Sequence, residues 1–151
     1  MKKVFNSHSP EETFEFARDF SSKLISGGVV LFKGSLGAGK TLFTKGLVSG
    51  LGFDPDEVTS PSFSLVNRYD SDPVCFHLDL WRLDTSSDPA FAVGLDEILE
   101  NENAVVVIEW SEKLEGFDFG EPLFVVELEG VGESERRITV DRVFKKESVD
   151  V

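Results

Sequence analysis

The spacing of apolar positions changes several times along this chain, and each change marks an element. Phe14, Ala17, Phe20, Leu24 and Ile25 recur at intervals of three and four, which is one face of a helix. The start of that helix is encoded in Ser9-Pro10-Glu11-Glu12. Ser9 suits the N-cap, Pro10 the first helical position, and Glu12 the reciprocal acid of a capping box. Gly27-Gly28 predicts its end. Val4-Phe5, upstream, reads as a short strand. Val29-Val30-Leu31-Phe32 is a compact apolar run and reads as a buried strand. Helical spacing returns with Leu42, Phe43, Leu47, Val48 and Leu51, closed by Gly52.

Residues 54 to 64 form a polar stretch punctuated by prolines, the signature of a loop. Two strands are predicted at 65 to 69 and 74 to 80, around the turn Asp70-Ser71-Asp72-Pro73. A helix is predicted over 88 to 100, with Asp88 as cap and Pro89 at the first position. Ala104-Val105-Val106-Val107-Ile108 is the most continuous β-branched run and suits a central strand covered on both faces. Alternating faces at 123 to 128 and 136 to 143 predict two late strands. There is no internal repeat, low-complexity segment or interdomain linker.

Composition sharpens this picture in three ways. At 151 residues and 40% hydrophobic content, the chain is the size of one domain with a real core. Fifteen Lys and Arg against 28 Asp and Glu leave a net charge of −13. Such a surface repels a polyphosphate, so direct strong binding of RNA or DNA is not expected, and a basic protein partner is the more natural complement. One cysteine, Cys75, excludes an internal disulfide framework and a CxxC metal site. The lysines at the start have no apolar segment behind them, and no stretch of 18 apolar residues exists. The expectation is a cytoplasmic protein without a membrane span.

The strongest chemical signal is Gly34-Ser35-Leu36-Gly37-Ala38-Gly39-Lys40-Thr41, a P-loop between a predicted strand and a predicted helix. Glycines there let successive backbone N–H groups point at phosphate oxygens, and the helix adds its positive N-terminal end. Lys40 can reach the β- and γ-phosphates, and the Thr41 hydroxyl can ligate Mg²⁺. The expected fold class is therefore α/β: a single P-loop NTPase-like domain over residues 1 to 144, with a mixed central sheet flanked by helices. Residues 145 to 151 are expected to be a frayed tail.

A P-loop enzyme also places an acid beside the Mg²⁺, usually at a strand end. Two candidates compete. Glu109 directly follows the run 104 to 108, where ligands bind in α/β sheets. Asp79 lies in Cys75-Phe76-His77-Leu78-Asp79-Leu80, sharing a face with His77. His77 reads as a hydrogen-bonded structural histidine rather than a catalyst. Trp81 and Trp110 read as packing residues, although Trp110 follows Glu109 and could lie over a nucleotide. Arg82 is a surface charge or a phosphate contact.

The base and the reaction class follow from what is missing. No Asp-x-x-Gly follows the second strand, and Asn67-Arg68-Tyr69-Asp70 comes too early to be a guanine motif, so ATP is expected rather than GTP. Between Lys45 and Lys113 only Arg68 and Arg82 are basic, which argues against the arginine-rich lid of a small-molecule kinase, the alternative reading. An ATPase that drives or resets a partner is the expectation.

Further motifs point to one family. Thr59-Ser60-Pro61-Ser62-Phe63-Ser64-Leu65-Val66 resembles its first switch segment. Phe76-His77-Leu78-Asp79-Leu80-Trp81-Arg82-Leu83 is similar to its His-x-Asp-Leu-Tyr-Arg-Leu segment, with Trp81 in the Tyr place. Gly94-Leu95-Asp96-Glu97 and Ile108-Glu109-Trp110-Ser111-Glu112-Lys113 match two more of its motifs. With the P-loop, the set resembles the TsaE family, formerly YjeE, over about residues 4 to 140. The resemblance implies a weak Mg²⁺-dependent ATPase of bacterial tRNA threonylcarbamoyladenosine (t6A) synthesis. It implies TsaB and TsaD type partners, which install the group on adenosine 37 of tRNAs reading codons that begin with A, so that tRNA is met only indirectly. The ATPase is thought to reset that complex between cycles. By the same resemblance, Thr41 and Glu109 ligate Mg²⁺, Asp79 serves hydrolysis, and Lys40 is catalytic. Leu36, Gly37, Ala38, Gly39, Lys40, Thr41 and Leu42 hold the nucleotide with Trp110. Residues 59 to 64 act as a switch, and Arg136 and the segment near Thr13 touch the adenine end.

Overall fold

A computed structural model describes residues 2–34, 39–59, 65–80, 88, 90, 93–101, 103–109, 114 and 117–144. The elements are β1 (Lys2–Ser7), α1 (Pro10–Phe20), β2 (Gly28–Lys33), α2 (Lys40–Gly50), β3 (Val66–Tyr69), β4 (Cys75–Asp79), α3 (Leu95–Leu99), β5 (Val105–Glu109), β6 (Leu123–Gly130) and β7 (Arg136–Val143). Short 3₁₀ turns follow α1 at Ser21–Leu24 and α2 at Pro55–Glu57.

The strands form one seven-stranded sheet in the order β1-β7-β6-β2-β5-β4-β3. The inner strands β6, β2, β5 and β4 run parallel, and the outer pairings are antiparallel. This is the mixed α/β sheet expected from the sequence. β5 is buried along its whole length. It inserts between β2 and β4, which come earlier in the chain, so the run 104 to 108 occupies the covered position that its lack of alternation predicted.

Each face of the sheet carries its own core. Val30, Phe32, Val105, Val107 and Cys75 face α1 and α2, while Val29, Val106, Ile108, Leu78 and Leu80 pack with Val93, Leu95 and Leu114 on the other side. The α1–α2 face explains the heavy use of phenylalanine. Phe20 meets Phe124 edge-on at 5.1 Å, Phe32 meets Phe43 edge-on at 5.4 Å, and Phe5 stacks on Phe16 at 4.6 Å. Interlocked rings of this kind fill the volume between helices and sheet with favourable edge geometry.

The start of α1 forms as its sequence predicts, with one difference. Ser9 Oγ accepts the Glu12 N–H at 3.1 Å, while the Glu12 carboxylate accepts the N–H of His8 rather than that of Ser9. Two expectations change. Ile25 does not belong to the buried face of α1; it is 71% exposed, because the chain turns through the 3₁₀ segment before reaching it. The helix expected over 88 to 100 is broken at Gly94, whose φ of +66° is left-handed. Asp88 does cap, accepting the Ala90 N–H at 3.1 Å, but the second helical piece starts afresh at Leu95. A left-handed residue cannot continue a right-handed helix.

α1 and α2 pack at close range because Gly46 has no side chain. A Cβ there would run into the backbone oxygen of Phe14 and reach 2.8 Å from the Ala17 Cβ. We expect Gly46→Ala to destabilise the fold by about 1–3 kcal/mol, the usual cost of overpacking, despite alanine's better helix propensity. Urea unfolding checks this; an unchanged or raised midpoint would contradict the packing.

Candidate functional site

The carboxyl ends of β2, β5 and β4 lie side by side, and the residues there share one rung. Phe32 of β2 pairs with Glu109 of β5, and Glu109 pairs with Asp79 of β4. The two acids left as competitors by the sequence are therefore neighbours on adjacent strands. Both lie on the sheet face that carries α2, since Val105 and Val107 on β5 and Cys75 on β4 belong to that core and strands alternate.

The same edge holds the start of the P-loop. Gly34 leaves β2 against the backbone of β6, where a Cβ would lie 2.5 Å from the Leu128 carbonyl oxygen. At the far end Gly39 sits in a left-handed conformation, φ +98°, as the N-cap of α2, with no side-chain cap. Lys40, in the first turn of α2, is only 7% exposed. Its backbone is locked in place: its carbonyl accepts the buried Thr44 hydroxyl at 3.0 Å, and Phe43 N–H bonds the Gly39 carbonyl at 2.9 Å. Thr41 and Leu42 follow, both half-buried. Leu36, Gly37 and Ala38 lie outside the described residues, as do Ser35, Trp81, Arg82, Pro89, Trp110 and the segments 60 to 64, 111 to 113 and 145 to 151.

Glu109 is 6% exposed and His77 is fully buried. His77 Nε2 lies 2.5 Å from Glu109 Oε2, and its Nδ1 lies 3.1 Å from the Tyr69 hydroxyl. The Tyr69 hydroxyl is 2.9 Å from the Thr59 carbonyl, which also accepts Asn67 Nδ2–H at 3.0 Å. No buried side-chain polar atom among the described residues lacks a partner. The reading of His77 as a hydrogen-bonded histidine holds, and its partner is the site acid itself.

No group of three or more His, Cys, Asp or Glu among the described residues forms a metal cage. Mg²⁺ takes one or two carboxylates plus phosphate and water oxygens rather than an all-protein shell. Glu109, a buried carboxylate paired with the end of β2, is chemically suited to be such a ligand. Arg136 opens β7 opposite Gly130, at the same sheet edge and two strands from β2, with its guanidinium donating to the Glu135 carbonyl at 2.8 Å. Thr13 is buried, and its hydroxyl is paired with Ser7 Oγ at 2.7 Å.

Comparison with known proteins identifies the family and the fold. The profile of the threonylcarbamoyl adenosine biosynthesis protein TsaE matches residues 7–138. The chain belongs to the TsaE family. It is 35% identical over 134 residues to the tRNA threonylcarbamoyladenosine biosynthesis protein TsaE of Treponema pallidum, covering 89% of this chain and 96% of that one. It is also 35% identical over 136 residues to the TsaE protein of Bacillus subtilis, with coverage of 89% and 82%. The crystal structure of Bacillus subtilis YdiB superposes with a TM-score of 0.74 at 29% identity, over 95% of this chain and 87% of that one. The fold of this TsaE family member is thus the one its P-loop predicted. No helix of the described residues is long and apolar enough to cross a membrane.

Two residues of the site escaped the sequence reading, Tyr69 and Asn67. A signal for Tyr69 was present: in a chain with 14 Phe it is the only Tyr, which marks a place where a ring alone is insufficient. Burial raises the Tyr69 phenol above its ordinary value, opposed by its bonds with Asn67 and Thr59. Burial likewise pushes the Cys75 thiol from 9.0 up to about 12. Both groups are neutral in the fold and ionise more easily once unfolded. Their contribution to stability is full below about pH 8.5–9 and is lost as pH rises through 10 towards 12. The urea midpoint should therefore fall between pH 8 and pH 10.5, and less steeply in Cys75→Ala. A flat profile would refute the burial argument.

Proposed function

We propose that this chain binds ATP with Mg²⁺ and hydrolyses it slowly in the service of t6A synthesis, with TsaB and TsaD type proteins as partners in the cytoplasm. The observation that carries the reading is the shared rung: Glu109 and Asp79 stand side by side where β5 and β4 end, and β2, which leads into the Gly34–Thr41 motif, ends beside them. Membership of a family named for threonylcarbamoyladenosine biosynthesis supplies the pathway.

Each residue has a distinct task in this reading. Gly37, Ala38 and Gly39, with Leu36, let backbone N–H groups wrap the phosphates, and Leu42 completes the first turn behind them. Lys40 supplies a desolvated positive charge to the terminal phosphates. The Thr41 hydroxyl and the Glu109 carboxylate hold the cation. Bound Mg²⁺ neutralises phosphate charge. Asp79, half-buried next to Glu109, orients and deprotonates the attacking water. Trp110 and Arg136 contact the nucleotide away from its phosphates. The net charge of −13 suits docking to a basic protein surface, so the partners meet the tRNA.

Lys40→Ala should weaken ATP binding by about 1.5–3 kcal/mol, measured by calorimetry, because a charge-assisted contact is lost. Near-normal affinity would count against the role of the loop. Asp79→Ala should keep ATP affinity within a few-fold, while turnover in the presence of both partners drops by about 100-fold or more. Turnover unaffected by the partners, with no complex on gel filtration, would remove the t6A reading. Transfer of labelled γ-phosphate to a metabolite instead of water would replace it with a small-molecule kinase.

A further inference from the structure

Beyond the P-loop and the two acids, one buried polar chain remains unexplained by packing. It runs from the exposed Thr59 through Tyr69 and His77 to the Glu109 carboxylate. Tyr69 is 4% exposed and sits beside Phe53, with ring centroids 5.3 Å apart. A phenylalanine would fill that space as well, as it does across the rest of this core. What the hydroxyl adds over a phenylalanine is its bonds. The Tyr69 hydroxyl donates its one proton to the Thr59 carbonyl, and its oxygen lies 3.1 Å from His77 Nδ1. Asn67 donates to the same carbonyl, and on the other side of the ring His77 Nε2 faces the Glu109 carboxylate. Both ring nitrogens of His77 thus have a partner.

The chemistry parallels the outer-shell partners of metal ligands, which fix a ligand's orientation and whose loss typically costs 10–100-fold in metal affinity. Here the ligand is a carboxylate and the orienting group is an imidazole, itself held by a phenol. We propose that His77 and Tyr69 are positioning residues that hold the Glu109 carboxylate in the orientation its cation needs, anchored to the backbone at Thr59. The proposal rests on Glu109 being the cation's carboxylate. It adds that cation affinity is set one and two residues further back, by groups that touch neither cation nor nucleotide.

The test is Mg²⁺ titration of nucleotide binding, read by calorimetry on the full chain, with melting temperature recorded for every variant. Tyr69→Phe keeps the ring and removes only the hydroxyl. We expect it to raise the Mg²⁺ midpoint several-fold while ATP binding without Mg²⁺ stays as in the wild type. His77→Leu should raise it by about 10–100-fold. His77→Gln, whose amide can still donate to Glu109, should recover part of the loss. In a Glu109→Gln background, Tyr69→Phe should add nothing. An unchanged midpoint in Tyr69→Phe, or effects of Tyr69→Phe and Glu109→Gln that simply add, would overturn the proposal, and Tyr69→Phe alone decides it should His77→Leu fail to fold. ATP binding by the wild type that ignores Mg²⁺ would instead remove the reading of Glu109, and this proposal with it.

Discussion

β5 has no solvent face, yet it ends on a carboxylate, and much of the site follows from that conflict. Four apolar residues of β5 are sealed between β2, β4 and the two helical layers before the chain reaches Glu109. An acid in that position is costly unless bonded, because an unpaired buried charge is among the most expensive features a fold can hold. His77 supplies the bond from the neighbouring strand. The buried imidazole then needs a partner for its second nitrogen, which brings in Tyr69, and through it Asn67 and Thr59. A single buried carboxylate thus dictates the polar content of two adjacent strands.

The insertion of β5 between two earlier strands makes this arrangement possible. β2 and β4 precede β5 in sequence, and neither pairs with the other. β5 joins them and aligns Phe32, Glu109 and Asp79 across one rung. The P-loop leaves β2 at that rung, and α2 returns over the same face, held against α1 at the side-chain-free Gly46.

The division of labour between rings is equally physical. Phenylalanine fills the space between α1, α2 and the sheet, where only volume and edge contacts matter. The single tyrosine stands where a ring must also pass a hydrogen bond.

Local order was legible in the sequence because it depends on neighbours along the chain. The cap at Ser9, the β2–loop–α2 sequence of a P-loop, the covered strand 104 to 108 and the late strands 123 to 128 and 136 to 143 all follow from spacing and residue type over short windows. Where such windows misled, the cause was a local conformation that composition does not reveal: the 3₁₀ turn that exposes Ile25, and the left-handed Gly94 that splits the helix expected over 88 to 100. Strand order and register were decided only in three dimensions. The sequence by itself named Glu109 and Asp79 as rival acids. The tertiary structure made them neighbours and gave Glu109 to His77, because pairing between strands 30 residues apart depends on how the sheet closes and not on any local pattern.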